Sequence, residues 1–309
     1  MDASSGWCVM IGATTIALQA VFLPDEAISQ MFVGGRMPTA AGALMPTGEA
    51  IPEPGGYRVS GRWAFASGIH HAEWVNATVR VRQSQHESEV WRRVVLPVSS
   101  VTIHDNWDAV GLKGTGSCDF SVSDCFVSSA FSWGFEQVPR RGGRLYHLGL
   151  PGFAANEHAA FALGVARHAL DLITDRAVSK SRGFHAATVA SRSAFQRDLG
   201  EWELQWRAAR AMVFEVFETA WQTLCAGREP SPASQAEMRG AATLATRMAL
   251  EIVTQAFRYA GGEAVYGANV LQRCWRDLNT AAQHFMVSDT AYENHGKFSL
   301  KQPDAKPFG

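Results

Sequence analysis

Two side chains of this 309-residue sequence are the best candidates for chemistry, His284 and Ser67. An imidazole exchanges a proton near neutral pH, so His284 is a candidate general acid or base. A serine hydroxyl can donate a hydrogen bond to a reacting oxygen without being consumed, which is the chemistry expected of Ser67. Each residue also has a structural interpretation. His284 could be paired inside a helical core, and Ser67 could be a turn residue ahead of Gly68.

Ser67 lies in a stretch rich in glycine and aromatic residues, 55–68. Glycines flank two short runs here, and the pattern predicts two strands around a tight turn at Ser60 and Gly61. Trp63 and Phe65 fall on the second strand. They could cover one face of a flat ligand or pack on the sheet, and the sequence leaves both roles open.

Cysteine usage and charge limit the partners that the chain can have. The five cysteines include no CxxC pair, which argues against a disulfide framework and a zinc site and suits a reducing cytoplasm. His70 and His71 have no further ligand at metal-binding spacing, so we expect no metal. A net charge of −1 favours neither nucleic acid nor an anionic membrane. No apolar run is expected to reach membrane-spanning length, and the first residues are not a signal peptide.

The period of the apolar residues divides the chain into three predicted domains. Residues 1–35 contain an almost wholly apolar helix and a short second helix. Residues 36–130 alternate with a period of two, which predicts a compact antiparallel β domain. Residues 150–300 carry the period of long helices joined by short loops, which predicts an up-down bundle of four or five helices. The predicted fold class is therefore α+β with several domains.

Within the bundle, three helices can be placed from local signals. Apolar residues over 195–220 recur in steps of three and four, which indicates a heptad-like seam. A Ser-Pro cap opens a helix over 232–259, and two glycines stop it. A further helix is predicted over about 270–286. It would place His284 on the same side as residues 276–277.

Three segments resemble the acyl-CoA dehydrogenase superfamily, and together they span nearly the whole chain. Residues 56–68 (GYRVSGRWAFASG) are similar to its flavin-facing hairpin. Residues 105–117 (DNWDAVGLKGTGS) are similar to its W-x-x-x-G-[ML]-[RK]-[GA]-T-[GA]-S segment. Residues 255–262 with 271–277 resemble its C-terminal "Q…GG…R..RD" segment. The wording of 63–68 and of 276–284 is closest to the two-component flavin-dependent monooxygenases.

That resemblance implies a reaction. In this branch a separate reductase delivers reduced flavin, oxygen adds to form a C4a-hydroperoxide, and the terminal oxygen passes to a phenol or related small molecule. The resemblance implies that Ser67 lies at the N5/C4a edge of an FAD or FMN and that His284 exchanges the proton. It also implies a homo-oligomer, either a tetramer or a dimer. The cofactor-binding positions that it implies are Trp63, Phe65, Ser67, Arg182, Gln255, Gly261 and Gly262.

Two other functions stay open at this point. One is an FAD-dependent acyl-CoA dehydrogenase, which needs a carboxylate base that often lies in a Tyr-Glu-Gly triplet. Here Asn294 follows Tyr292 and Glu293, so the base role is not assigned. The other is a non-catalytic member, because the superfamily carries a longer N-terminal helical domain and residues 1–35 resemble only a remnant of it.

Overall fold

The computed structural model describes residues 2–82, 90–180 and 187–308. The chain forms two compact units. The first, called the β unit below, comprises Ser4–Asp108 and Lys113–Gly143. The second, the helical unit, comprises Met1–Ala3, Ala109–Leu112 and Arg144–Gly309.

The first two helices are α1 (Ala3–Phe22) and α2 (Asp25–Met31). Pro24 precedes α2. Two acidic residues occupy the first turn of α2, where their negative charge interacts favourably with the positive end of the helix dipole. Helix α1 has 20 residues with a mean hydropathy of 1.5, so among the described helices it alone is long and apolar enough to cross a membrane. The expectation that no apolar run reaches this length is therefore wrong for residues 3–22.

The β unit is built on one sheet, with strand order β6-β7-β3-β2-β4-β5-β8 and β1 beside β4 among the described residues. Its strands are β1 (Ala40–Gly42), β2 (Gly48–Glu53), β3 (Gly56–Trp63), β4 (Trp74–Val81), β5 (Val90–Pro97), β6 (Thr102–His104), β7 (Asp119–Ser128) and β8 (Ser132–Gly134). The predicted antiparallel sheet is mixed instead. Strands β1 and β2 each run parallel to β4, and the other pairs are antiparallel.

The hairpin of the β unit lies earlier than predicted. Strands β2 and β3 pair from Glu53 and Gly56 outward, and Gly55 supplies the turn with a φ of 82° that glycine adopts without strain. The turn predicted at Ser60 and Gly61 is wrong, because β3 continues through both residues. The register against β7 shifts there, and the Ser60 hydroxyl accepts a hydrogen bond from the Asp124 N–H at 2.9 Å. A local bulge takes the place of the turn.

The helical unit contains the long helices that the sequence predicts. Its helices are α3 (Gly149–Ser179), α4 (Ser193–Cys225), α5 (Pro232–Ala260), α6 (Val270–Ala281) and α7 (Thr290–Ser299). Most of the predicted seam of α4 is buried between Phe195 and Ala220, and its members Leu199 and Trp206 are half-buried. Helix α5 begins and ends at its predicted signals, since the Ser231 hydroxyl caps it and Gly261 ends it with a φ of 68°. The α+β multidomain architecture is confirmed.

Helix α6 is shorter than predicted. It ends at Ala281, so His284 does not lie on the same helix as residues 276–277. The backbone of His284 is extended, and its side chain caps a short 3-10 turn over Phe285–Val287. The cause is a side chain from α5. The buried guanidinium of Arg239 donates hydrogen bonds to the carbonyls of that turn, which fixes it as a turn rather than as a continuation of the helix.

Candidate active site

Ser67 lies in a chain of hydroxyl groups inside the β unit. Its Oγ accepts a hydrogen bond from the indole N–H of Trp7 at 3.0 Å and lies 2.8 Å from the Oγ of Ser117. That oxygen in turn lies 2.6 Å from the hydroxyl of Thr115. All three hydroxyl residues are buried. An indole N–H only donates, so the proton of Ser67 is available to Ser117 or to a bound acceptor.

The turn that carries Ser67 is tied to the segment that carries Ser117. The Ala66 N–H donates to the Cys118 carbonyl at 3.2 Å, and the Gly68 N–H donates to the Thr115 carbonyl at 2.9 Å. Gly68 has a φ of 78°, a backbone conformation that favours glycine. The two motifs that the sequence singled out, 56–68 and 105–117, therefore meet at Ser67.

Phe65 and Trp63 differ sharply in exposure. The ring of Phe65 is 71% exposed and stands edge-on to Trp107, with centroids 6.4 Å apart. Its φ is 64°, which is strained for a bulky residue and is characteristic of functional sites. Trp63 is 1% exposed, stacks on Phe120 and donates its N–H to the Thr78 carbonyl at 2.8 Å. Trp63 thus has the packing role, and we do not assign it to a cofactor.

His284 lies in the helical unit with its ring on a second histidine. The rings of His284 and His158 have centroids 4.4 Å apart and are tilted by 30°. The Met286 N–H donates to Nδ1 of His284 at 3.3 Å. Because Nδ1 accepts this bond, the proton of the neutral ring lies on Nε2. Burial, together with the charge of Arg239, lowers the pKa of His284 to about 4.

His158 is part of the same environment. It lies on α3, is 4% exposed, and has a pKa well below its ordinary value because burial and the neighbouring His284 both disfavour its charge. Both rings are therefore neutral at pH 7. The sequence placed His158 on a helix but could not pair it with a residue 126 positions away.

Arg239 holds the segment that follows His284. Arg239 is only 1% exposed. Its guanidinium donates hydrogen bonds to the carbonyls of Phe285 at 2.7 Å and Met286 at 3.1 Å. It also donates to the hydroxyls of Ser288 and Thr290. The two bonds to the carbonyls of Phe285 and Met286 fix the turn, so Arg239 positions the segment that follows His284. Nothing in its spacing could have identified it from the sequence.

The C-terminal motif of the helical unit holds the short segment Ala109–Leu112. The carboxylate of Asp277 accepts the Leu112 N–H at 2.6 Å, and Arg276 donates to the Val110 carbonyl at 2.5 Å. A Cβ on Gly111 would lie 2.2 Å from the Arg276 carbonyl oxygen, so only glycine fits there. Burial raises the pKa of Asp277, and the bond from Leu112 opposes that shift. Asp277 and Arg276 therefore have a structural role.

The remaining predicted positions are placed as follows. Gln255 is half-buried on α5. Gly261 ends that helix, and Gly262 is exposed, with open space where a side chain would stand. Arg182 lies outside the described residues. Glu293, the doubtful dehydrogenase base, is exposed and pairs with Lys297 at 3.1 Å, which offers it no catalytic environment.

Comparisons with known proteins bear on the resemblance. Residues 157–289 match the family described as "Acyl-CoA dehydrogenase, C-terminal domain". Indole-3-acetate monooxygenase from Pseudomonas putida is 32% identical over 304 residues, which cover 98% of this chain and 77% of that protein. The chain belongs to the flavin-dependent monooxygenase branch of the acyl-CoA dehydrogenase superfamily.

A further relative and a solved structure are also similar along most of their length. The oxygenase component of an FADH(2)-dependent resorcinol hydroxylase from Rhizobium sp. is 26% identical, with 93% of this chain and 74% of that protein covered. The structure of XiaF from Streptomyces sp., in complex with FADH2 and glycerol, matches with a TM-score of 0.89 at 23% identity. The matched region covers 98% of this chain and 78% of the XiaF chain. The indole-3-acetate monooxygenase and the resorcinol hydroxylase favour the monooxygenase interpretation over the dehydrogenase and the non-catalytic one.

Proposed function

We propose that this protein is the oxygenase component of a two-component flavin-dependent monooxygenase that hydroxylates a small aromatic compound. The observation that carries the proposal is the Ser67 hydroxyl. It is held by the Trp7 N–H and by Ser117, where the segment that resembles the flavin-facing hairpin meets the segment 105–117. The names of the relatives, an indole-3-acetate monooxygenase and a resorcinol hydroxylase, suggest an indole or a phenol as the substrate.

The residues around Ser67 fit a flavin. Because its oxygen already accepts one hydrogen bond, the Ser67 hydroxyl can donate its own proton to an acceptor atom of an isoalloxazine instead of to Ser117. Phe65 presents an exposed aromatic face from a strained backbone position, which suits contact with a flat ring. Gly261 and Gly262 allow close approach of a phosphate at the end of α5, and Gln255 lies six residues before Gly261 on that helix. Bound reduced flavin would supply the electrons with which O2 is activated.

His284 then acts as a neutral residue. With a pKa of about 4 and its proton on Nε2, it donates a hydrogen bond from Nε2 at pH 7 and carries no charge. Such a donor orients a substrate oxygen and stabilises negative charge that develops on it. To take up a proton at Nδ1, the ring would first have to release the Met286 N–H. We therefore assign His284 the task of binding and orienting the substrate through the hydrogen bond that its Nε2 donates.

The partners follow from the class of enzyme. Relatives described as oxygenase components imply that a separate reductase supplies reduced flavin, and we propose the same for this protein. We also propose a cytoplasmic location and a homo-oligomer, either a tetramer or a dimer. The exposed Gly261–Gly262 end of α5 supports the assembly, because the family brings that segment to the flavin of a neighbouring subunit.

The proposal is tested by turnover with labelled oxygen. The purified protein is mixed with photoreduced FMN or FAD, ¹⁸O2, and either indole-3-acetate or resorcinol. We expect a hydroxylated product with one ¹⁸O atom, and no product when the flavin is oxidised. Reduction of bound FAD by an acyl-CoA without oxygen would instead support the dehydrogenase alternative. A protein that forms no labelled product, and whose bound flavin no acyl-CoA reduces, would refute both.

A further inference from the structure

Three potential metal ligands from separate segments converge at one end of the sheet. They are the imidazole of His70, the carboxylate of Asp105 and the thiol of Cys118, and their ligand atoms all lie within 4.8 Å of one another. Nε2 of His70 is 3.3 Å from Sγ of Cys118, and that sulfur lies 3.8 Å from Oδ1 of Asp105. We propose that these three residues bind a divalent zinc ion, with the fourth position open to solvent.

The distances agree with the geometry that zinc requires. Bonds of about 2.3 Å to sulfur and about 2.0–2.1 Å to nitrogen and oxygen, at tetrahedral angles, set the ligand atoms about 3.3–3.6 Å apart. The two distances from Cys118 Sγ lie within a few tenths of an ångström of that range. One thiolate, one imidazole and one carboxylate form a mixed set that favours zinc over the harder magnesium and calcium ions. On binding, the Cys118 thiol releases its proton to solvent.

The sheet holds two of the ligands in place before any metal binds. His104, the last residue of β6, is paired with Asp119, the first residue of β7, so Asp105 and Cys118 lie just beyond the paired ends of these two strands. The third ligand, His70, belongs to the 3-10 turn that begins after Gly68, whose N–H is bonded to the Thr115 carbonyl. Ligands on rigid elements lose little freedom when they bind a metal.

The three ligands differ in burial, as a metal site with one open position requires. Cys118 is fully buried, whereas His70 and Asp105 are exposed. The sulfur is thus shielded while water or a small ligand can reach the fourth position. The sequence predicted no metal because His70 lies 48 residues from Cys118 and no local spacing reveals the group.

The site is independent of the proposed reaction but adjacent to its residues. Cys118 follows Ser117 directly, and the Cys118 carbonyl accepts the Ala66 N–H next to Ser67. A zinc ion would therefore join the turn of His70 to the strand end of Cys118 and stiffen the segment that holds the hydroxyl chain. We expect the melting temperature of the protein to rise with zinc, because a ligand that binds the folded state stabilises it.

The test is a metal titration of the full chain after removal of metals with EDTA and dialysis. We expect calorimetric titration with ZnCl2 to show one Zn²⁺ ion bound per chain. Titration with Co²⁺ should produce a thiolate-to-cobalt charge-transfer band in the near ultraviolet. Cys118→Ser and His70→Asn should each weaken zinc binding at least about tenfold, the size that even outer-shell changes cause. The matched controls Cys125→Ser and His71→Asn should leave the affinity unchanged. His70 is exposed, so His70→Asn tests the site even if Cys118→Ser fails to fold.

Two results would overturn the proposal. In the first, the wild-type protein binds zinc no more tightly than Cys118→Ser does. In the second, both ligand variants keep wild-type affinity. Either result would mean that His70, Asp105 and Cys118 are joined by hydrogen bonds only.

Discussion

The surroundings of Ser67 and His284 hold a reactive group in two different ways. In the β unit, Ser67 is held by neutral donors and acceptors, with an indole N–H on one side and hydroxyls on the other. In the helical unit, His284 stacks on another imidazole, caps a turn and lies near a buried cation. Hydrogen bonds therefore set the direction of the Ser67 hydroxyl, whereas burial and charge set the protonation state of His284.

This difference indicates what each group can contribute. A hydroxyl at fixed direction suits an acceptor whose position is constant, such as a cofactor edge. A ring kept neutral by its surroundings suits a substrate oxygen whose charge changes during the reaction. The two environments should therefore respond to different substitutions.

The largest effect is expected from His284→Ala. It removes the Nε2 donor, and we expect the rate of hydroxylation to fall about a hundredfold or more, while reduced flavin still binds. Single-turnover product formation measures this rate. His295→Ala, which changes an exposed histidine of α7, is the control and should keep the wild-type rate. Equal rates for the two variants would remove the catalytic assignment of His284.

Arg239→Met should affect the helical unit next most strongly. It leaves the carbonyls of Phe285 and Met286 without their donor, which costs about 2–4 kcal/mol of unfolding free energy. It should also raise the pKa of His284, because the charge that helps to lower it is gone. Urea unfolding and NMR titration of the imidazole measure the two effects. Arg247→Met, at an exposed position of the same helix, should change neither. If the pKa of His284 stayed near 4 in Arg239→Met, burial alone would control it.

Trp7→Phe should alter the hydrogen bonding of Ser67 without adding charge. It removes the donor to Ser67 Oγ and frees the hydroxyl to rotate, at a cost of about 1 kcal/mol. We expect a fall of roughly fivefold in the reaction of enzyme-bound reduced flavin with oxygen, followed by stopped-flow absorbance. Trp91→Phe changes a half-exposed tryptophan of β5 and should react like the wild type. A normal rate in Trp7→Phe would show that Ser117 alone directs the hydroxyl.

The smallest effect concerns pH. The folded-state pKa of His284, about 4, lies below its ordinary value of 6.5, so as the pH falls the unfolded chain takes up this proton first. The contribution of His284 to the free energy of unfolding is complete above pH 6.5, and it is lost as the pH falls from about 6.5 to 4. We expect it to be about 1 kcal/mol, since the ring is only half-buried. His284→Asn should lose less stability over this range than the wild type does. An identical pH dependence of the melting temperature in both proteins would contradict the lowered pKa.

Local signals predicted the fold better than they predicted the site. The Ser231 cap, the glycine end of α5 and the buried seam of α4 depend on neighbours within a few residues, so they could be inferred from the sequence. The turn assigned to Ser60 was wrong because pairing with β7, about 65 residues later, extends the strand through it. The C-terminal end of α6 was wrong because Arg239, more than 40 residues earlier, binds the following turn.

The candidate site shows the same limit. Ser67 and His284 could be selected from residue type and family resemblance. Trp7 could not be connected to Ser67, because 60 residues separate them and tryptophans are frequent in this chain. The strained backbone of Phe65 and the neutral state of His284 depend on tertiary packing that no local pattern records.

The most direct test of the central claim is a stopped-flow comparison of Ser67→Ala with His284→Ala. Each variant, loaded with reduced flavin, is mixed with oxygen and an aromatic substrate while flavin oxidation and product are followed together. We expect Ser67→Ala to change mainly the reaction of the flavin with oxygen, and His284→Ala to allow that reaction but to lose the hydroxylated product. Two variants with wild-type rates in both phases, or with the effects exchanged, would contradict this expectation.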